Sequence, residues 1–419
     1  MLIAVGLALT AIAVYARARL GTAGAPFLGR YRWQVGPTSA LAPAIAVAVI
    51  VATARGWPER VRWSVLQLSG YLTAVGWALS LAVVEGGSGL TKGFTSTDEF
   101  LVDLDSVGDH PATFLATFTA MAPAHSAATR GHPPGAVLML WALDRVGWTD
   151  HLALGLLITA LGCLTVPLVL ISVRDVCGEP AARRYAPVLC VAPYAVWTAV
   201  SMDAVVAMLT AALIAAGVLA SRQRSRGWSA TGWAVVAGLL IGLASLFSYA
   251  TPWLGLSLVF LYFARRRASL NVATGLGALI PVICAEFAGF SWVDGLRVAQ
   301  LDYGSRVEPY RPALLWSGIS LVALLIAAGP PLVASARKLR NTPAWPFLVG
   351  AGCAVVFSVL AGLARGGVEH AWLPYFPWLT VAAVAPERPG GSLGPPPVLL
   401  IALGAGTAIV IEAVLATPW

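Results

Sequence analysis

The chain has 419 residues, of which 58% are hydrophobic and only 11% charged, against roughly 25% charged in an ordinary soluble domain. Water cannot be the main solvent for such a surface, so the apolar excess must face lipid, and the length counts membrane spans rather than soluble domains. The net charge of +8 sits in short arginine clusters between apolar runs, the pattern of topology determinants and not of a nucleic-acid footprint.

The first apolar run, Leu2–Tyr15, has no basic leader and no A-x-A cleavage site and reads as a retained helix. Further runs fall at 40–54, 63–84, 152–173, 185–199, 204–220 and 230–247, then at 253–264, 270–290, 313–333, 344–363, 371–385 and 398–416. Together they predict an all-α polytopic integral membrane protein, a single transmembrane domain over 1–419 with about thirteen helices. Several runs are shorter than the ~20 residues a straight span needs, so their ends must extend into polar flanks or meet thinned lipid. Cys163, Cys190, Cys284 and Cys353 lie in apolar runs and Cys177 in a loop, so neither a disulfide framework nor zinc spacing is present.

The arginine clusters set the orientation. Arg222, Arg224 and Arg226, then Arg265, Arg266 and Arg267, then Arg337, Lys338 and Arg340 mark cytoplasmic loops. Threading outward places Arg55, Arg60 and Arg62 on that side, with Arg174, Arg183, Arg184 and the amino terminus. One loop runs against the rule, because Arg17, Arg19, Arg30 and Arg32 fall outside.

The outside carries an acidic stretch, 85–132, too long for a simple connector. After it, His132-Pro133-Pro134-Gly135 opens the apolar segment AVLMLWALDRVG. Its dozen or so residues cannot cross a core ~30 Å thick, and a crossing would invert every later arginine cluster. It is therefore expected to lie along the outer interface as a juxtamembrane helix, closing an external unit over 85–150. A second external loop spans 291–312, and a short third one reads Arg365-Gly366-Gly367-Val368-Glu369-His370.

These loops hold the residues suited to chemistry. Asp98 and Glu99 follow an outward-going span, where an ionised carboxylate of ordinary pKa could take a proton from an incoming hydroxyl; the competing reading is a pair of solvated loop acids. Asp103, Asp105 and Asp109 read as solvated residues or oxygen ligands of calcium type without the complete loop pattern. His132 is expected at the positive end of a helix, as an anion contact or a simple cap. Arg306 and Arg311, with Tyr303 and Tyr310, suit a phosphate clamp or a sugar-stacking wall, although interfacial anchors look the same. Arg365, Glu369 and His370 fall at the outer mouth of the bundle, where a structural ion pair is the alternative. Asp203, in Ser201-Met202-Asp203-Ala204, either caps its helix or points into the same cavity. Glu286 and Glu412 lie near the outer ends of their runs, so the midplane is almost free of charge.

The Asp98-Glu99-Phe100-Leu101 run, HPPGAVLMLWALDRVG after it, and the late VEHAWLPYFPWL together resemble the GT-C superfamily of membrane glycosyltransferases. More narrowly they resemble actinobacterial cell-envelope members, the methylthioxylose transferases among them. The similarity runs from Thr91 onward, in short motifs whose order is the specific feature. The resemblance implies a GT-C-like bundle, a sugar donor carried on polyprenyl phosphate, and an acceptor among envelope glycans such as arabinogalactan or lipoarabinomannan. It also implies an external active site in the plasma membrane and inversion at the anomeric carbon. Glu99 or Asp98 would be the base, with His132, Asp203, Tyr303, Arg306, Arg311, Arg365, Glu369 and His370 around the substrates. No cofactor is firmly implied, though a divalent metal is compatible. Where that family carries Gly-Glu-Val-Glu-Arg, this chain has Gly367 and His370 in place of the Glu and Arg, which makes any charge there depend on pH. A transporter of lipid-linked sugar and a non-catalytic assembly scaffold are the rival classes; the first would need charged midplane residues and repeat symmetry.

Overall fold

The computed structural model describes residues 2–15, 24–338, 341–362, 365–388 and 390–417. Arg17, Arg19 and Arg340 lie outside the described residues. The fold is a helical bundle. Among the described residues six helical runs are long and apolar enough to cross a bilayer: Pro37–Ala54, Trp63–Val107, His151–Cys177, Met202–Ser221, Trp228–Ser245 and Leu270–Phe287. A seventh candidate is a pair, Trp292–Tyr310 and Ala313–Ala328, bent by 95°.

Three of the runs counted from the sequence form shorter pieces, and proline is the physical reason. Run 185–199 breaks after the Glu179–Cys190 helix and resumes as a tight turn at Pro193–Trp197. Run 371–385 falls into the short helices Val368–Ala371 and Phe376–Thr380, with Pro374 and Pro377 between and within them. Gly329-Pro330-Pro331 ends Ala313–Ala328 and starts Pro330–Ala336. Each proline lacks the amide that the i−4 carbonyl needs, so hydropathy continues while the helix stops.

Lipid is the solvent for the outer faces. On Leu270–Phe287 the side chains of Val272, Leu276, Leu279, Ile280, Ile283 and Phe287 are all exposed, Phe287 to 90%. They recur at helical spacing and make a stripe that water would penalise and hydrocarbon would not. The opposite face of that helix packs on Trp228–Ser245 backbone to backbone: a Cβ at Gly238 would stand 2.1 Å from the Thr274 carbonyl oxygen. Small residues let membrane helices approach this closely, replacing hydrophobic force with dispersion.

Two main cores result. The larger gathers buried aromatic rings such as Trp77, Trp197, Trp372, Tyr185 and Phe347 between the spans. The smaller lies under the acidic 85–132 stretch, where Phe94, Phe100, Val107, Phe114 and Phe118 meet Val137 and Leu140 of the Gly135–Arg145 helix and the first turns of Met202–Ser221. The stretch from 85 to 150 is thus a folded cap seated on the bundle end. Gly135 is required there by contact: its N–H donates to the Leu246 carbonyl at 2.8 Å, and a Cβ would sit 2.3 Å from that oxygen.

The two ends of the bundle differ in charge. Ser221 and Asp175, at the far ends of Met202–Ser221 and His151–Cys177, accept from Arg265 at 3.1 and 2.8 Å, and Arg222 closes on the same Asp175. Arg183 donates to the Pro58 and Val61 carbonyls at 2.8 Å each. Arg222 and Arg265 thus share Asp175, and Arg183 ties its own cluster to the segment that carries Arg60 and Arg62, while Lys338 donates to the Ala385 carbonyl at 3.1 Å. Arg30 and Arg32 belong to the other end, because Arg30–Tyr31 pairs antiparallel with Leu415–Ala416 and the Leu28 N–H donates to Glu369 Oε1 at 2.6 Å. The 20-residue Met202–Ser221 helix separates the two ends by roughly 30 Å.

Candidate active site

At the cap end, below the folded 85–150 stretch, lies a cavity of about 550 Å³. Six of the sequence-selected residues besides Asp98 line it: Glu99, His132, Asp203, Tyr303, Arg306 and His370. They arrive from four separate parts of the chain.

Asp98 and Glu99 are held by their surroundings rather than by their own side chains. The Asp98 carbonyl accepts from Ala128 N–H at 2.9 Å, and the next residue, Phe100, is buried with its ring edge-on to His132 at 5.5 Å. Asp98 stays exposed while Glu99 is half-buried. Burial, then the charges of Asp203 and Asp98, push the Glu99 carboxyl up to about 7. The expectation of an ordinary, fully ionised carboxylate is corrected on this point: desolvation and two like charges disfavour the anion.

His132 is not at the start of the helix after the prolines. It caps the end of Ala127–Gly131, and its Nδ1 lies 2.8 Å from the Ala128 carbonyl oxygen. A ring nitrogen paired with a carbonyl is a donor, which leaves Nε2 as the second nitrogen of the ring. Asp203 does not cap its helix either. Ser201 holds that position, and Asp203, in the first turn, lines the cavity with Oδ2 3.7 Å from His370 Nδ1. His370 Nδ1 is also 3.5 Å from Ser201 Oγ. Burial pushes the His370 pKa down and Asp203 pulls it back up.

The cationic wall is built around Asp302. Its Oδ1 accepts from Arg306 Nε at 2.7 Å, and its Oδ2 stands 3.4 Å from Arg130 Nε. Arg130 lines the cavity and also donates to the His125 carbonyl. In the sequence Arg130 is only a lone base in an acidic loop. The signal that places it is Ser126, whose side chain accepts from Thr129 N–H at 3.2 Å and so starts the short helix ending beside Arg130.

Three selected residues do not reach the cavity wall. Arg311 and Arg365 clasp each other's carbonyls, Arg365 Nη1 donating to the Arg311 carbonyl at 3.0 Å. Arg365 also pairs with Glu308 at 2.9 Å, while the Arg311 guanidinium stacks 4.6 Å above the Trp316 ring. They join the 291–312 loop to the segment around Arg365. Glu369 is fully buried, accepts from Leu28 N–H, and is pushed by burial up to about 7. Tyr303 lines the cavity, but its hydroxyl accepts from Arg365 N–H at 2.8 Å.

Of the other acids picked out in the cap, Asp105 is exposed, while Asp103 and Asp109 have structural partners. Asp103 is buried, 3.2 Å from His125 Nδ1 and 3.0 Å from Ser126 N–H. Burial alone would raise it, but hydrogen bonds from His125, Thr129 and Ser126 hold it at about 2. Asp109 pairs with Arg145. Among the described residues no group of three His, Cys, Asp or Glu side chains is placed to hold a metal ion.

No family model and no curated protein matches the chain. Among solved structures it is similar to ArnT from Cupriavidus metallidurans bound to undecaprenyl phosphate, at 16% identity and a TM-score of 0.45, over 77% of this chain and 59% of that one. The chain thus spans less than two thirds of that protein's length.

Proposed function

We propose that the protein is a membrane glycosyltransferase of GT-C type, which moves a sugar from a polyprenyl-phosphate donor to a cell-envelope glycan on the extracytoplasmic face of the plasma membrane. One observation carries this reading: a single cavity holds a carboxyl group poised near neutrality opposite two arginines that share one carboxylate. A general base works best with a pKa near the working pH. The short motifs that resemble actinobacterial envelope transferases point the same way. The side is supported by charge, since the cavity opens at the end opposite those arginine clusters.

In the reaction Glu99 accepts the proton of the acceptor hydroxyl. The freed oxygen pair attacks the anomeric carbon from the face opposite the phosphate, so the configuration inverts. The bond between that carbon and the phosphate oxygen breaks, and its electron pair leaves with polyprenyl phosphate. Arg130 and Arg306 stabilise the negative charge that grows on the leaving group, a role in which preorganised cations act most strongly. Asp203 keeps His370 oriented beside them and holds the Glu99 pKa up. Arg311, Arg365 and Glu369 support the loops that carry these groups.

The test is Glu99→Gln in purified protein given polyprenyl-phosphate sugars and an envelope glycan acceptor. Transfer should fall by roughly 10²- to 10⁴-fold, the usual worth of a general base, while donor binding persists. Wild-type turnover in that variant would remove the base and the scheme with it.

A further inference from the structure

A second cavity, of about 490 Å³, opens sideways in the bundle wall, away from the candidate active site. Its walls are the Leu41–Ala54 and Trp63–Ala82 helices, and its floor includes Ala186, Pro187 and Cys190. Ala48, Ala52, Gly70 and Gly76 face it, so the gap comes from missing side-chain volume. From Leu66 to Gly76 it runs ten residues along one helix, roughly 15 Å. An empty slot of this size would forfeit dispersion contacts on every wall, and its lining is mostly apolar, with Thr53, Ser69 and Thr73 the hydroxyl side chains in it.

The basic end of the groove gives a guest there its sign. Trp57 and Pro58 line it there, and Arg55, Arg60 and Arg62 stand beside them, all three exposed. Glu59 between them faces Arg184 at 3.8 Å. Among the described residues no ion-pair partner is found for Arg55, Arg60 or Arg62. Three uncompensated guanidinium groups at the mouth of a chain-shaped slot match an anionic headgroup above an acyl chain.

We propose that this groove binds an anionic glycerophospholipid, one acyl chain lying between the two helices and the headgroup on Arg55, Arg60 and Arg62. The site is separate from the cavity around Glu99 and stands whether or not sugar transfer occurs there. It sits at the basic end, so its lipid comes from the leaflet those arginines face.

Native mass spectrometry of the detergent-purified full chain tests this, with phosphatidylglycerol, phosphatidylcholine and undecaprenyl phosphate as probes. Retained phosphatidylglycerol should exceed phosphatidylcholine at least tenfold, a preference that Arg55→Gln, Arg60→Gln and Arg62→Gln together abolish. Gly76→Leu should remove the bound lipid outright. A Cβ at Gly76 meets only Ile45 Cδ1, at 3.8 Å, so the side chain fills the groove without breaking a contact. Unchanged phosphatidylglycerol in Gly76→Leu, or equal retention of the two phospholipids, would overturn the proposal. So would displacement of phosphatidylglycerol by undecaprenyl phosphate.

Discussion

The pH dependence of transfer is the most demanding consequence of the site. Glu99 must be deprotonated to act as a base, and its pKa is lifted from 4.5 to about 7 by burial, Asp203 and Asp98, in that order. Activity should therefore rise with pH through a limb centred near 7: about a tenth of the enzyme is competent one unit below it and about nine tenths one unit above. An unperturbed glutamate would place the limb near 4.5 and leave the rate flat from pH 6 to 8. Asp203→Asn removes one of the two like charges while keeping the side-chain volume. The limb should then move to lower pH, by less than the whole displacement because burial remains. The assay is single-turnover transfer of labelled sugar in proteoliposomes between pH 5.5 and 8.5, with the donor prebound so that lipid partitioning does not enter. A wild-type profile flat across pH 7, or an Asp203→Asn limb at the wild-type position, would refute this account of Glu99.

Two further outcomes follow from the geometry. Arg130→Gln should weaken donor binding more than Arg306→Gln does, because the Arg130 side chain is 17% exposed and that of Arg306 51%; roughly ten- to a hundredfold in donor KM for Arg130 is the scale of a buried charged hydrogen bond, and equal effects would shift the phosphate away from Arg130. Gly135→Ala should destabilise the protein by about 1–3 kcal/mol, since the new methyl collides with the Leu246 carbonyl oxygen; thermal unfolding in detergent reads the loss, and an unchanged midpoint would mean the cap is not seated as described.

The order of apolar runs and arginine clusters was enough to divide the molecule into two chemically distinct ends, because hydropathy and the cost of moving arginine through lipid are both local properties. The same information does not show where the helix within a run breaks. Pro187, Pro193 and the Gly329-Pro330-Pro331 corner leave the apolar character intact while interrupting the backbone hydrogen bonds. The grouping of Asp98, Glu99, Asp203, Arg306 and His370 in one cavity could be anticipated from their shared position at helix ends. Which guanidinium faces the cavity could not. Arg306 and Arg311 are five residues apart and look alike in sequence, yet one meets Asp302 and the other a backbone carbonyl and an indole ring. Arg130 was invisible for the converse reason: its partner Asp302 lies in a segment far away in sequence.

The short ribbon formed by Arg30–Tyr31 and Leu415–Ala416 bears on biogenesis. Its strands are far apart in sequence, and Leu28, which lines the cavity, bonds to the equally distant Glu369, so neither contact can form before those late segments have entered the bilayer. Contacts of such long range are the last to be rewarded during synthesis. The cavity wall at Leu28 is therefore completed only after the segments that carry Glu369 and Leu415–Ala416 have been made.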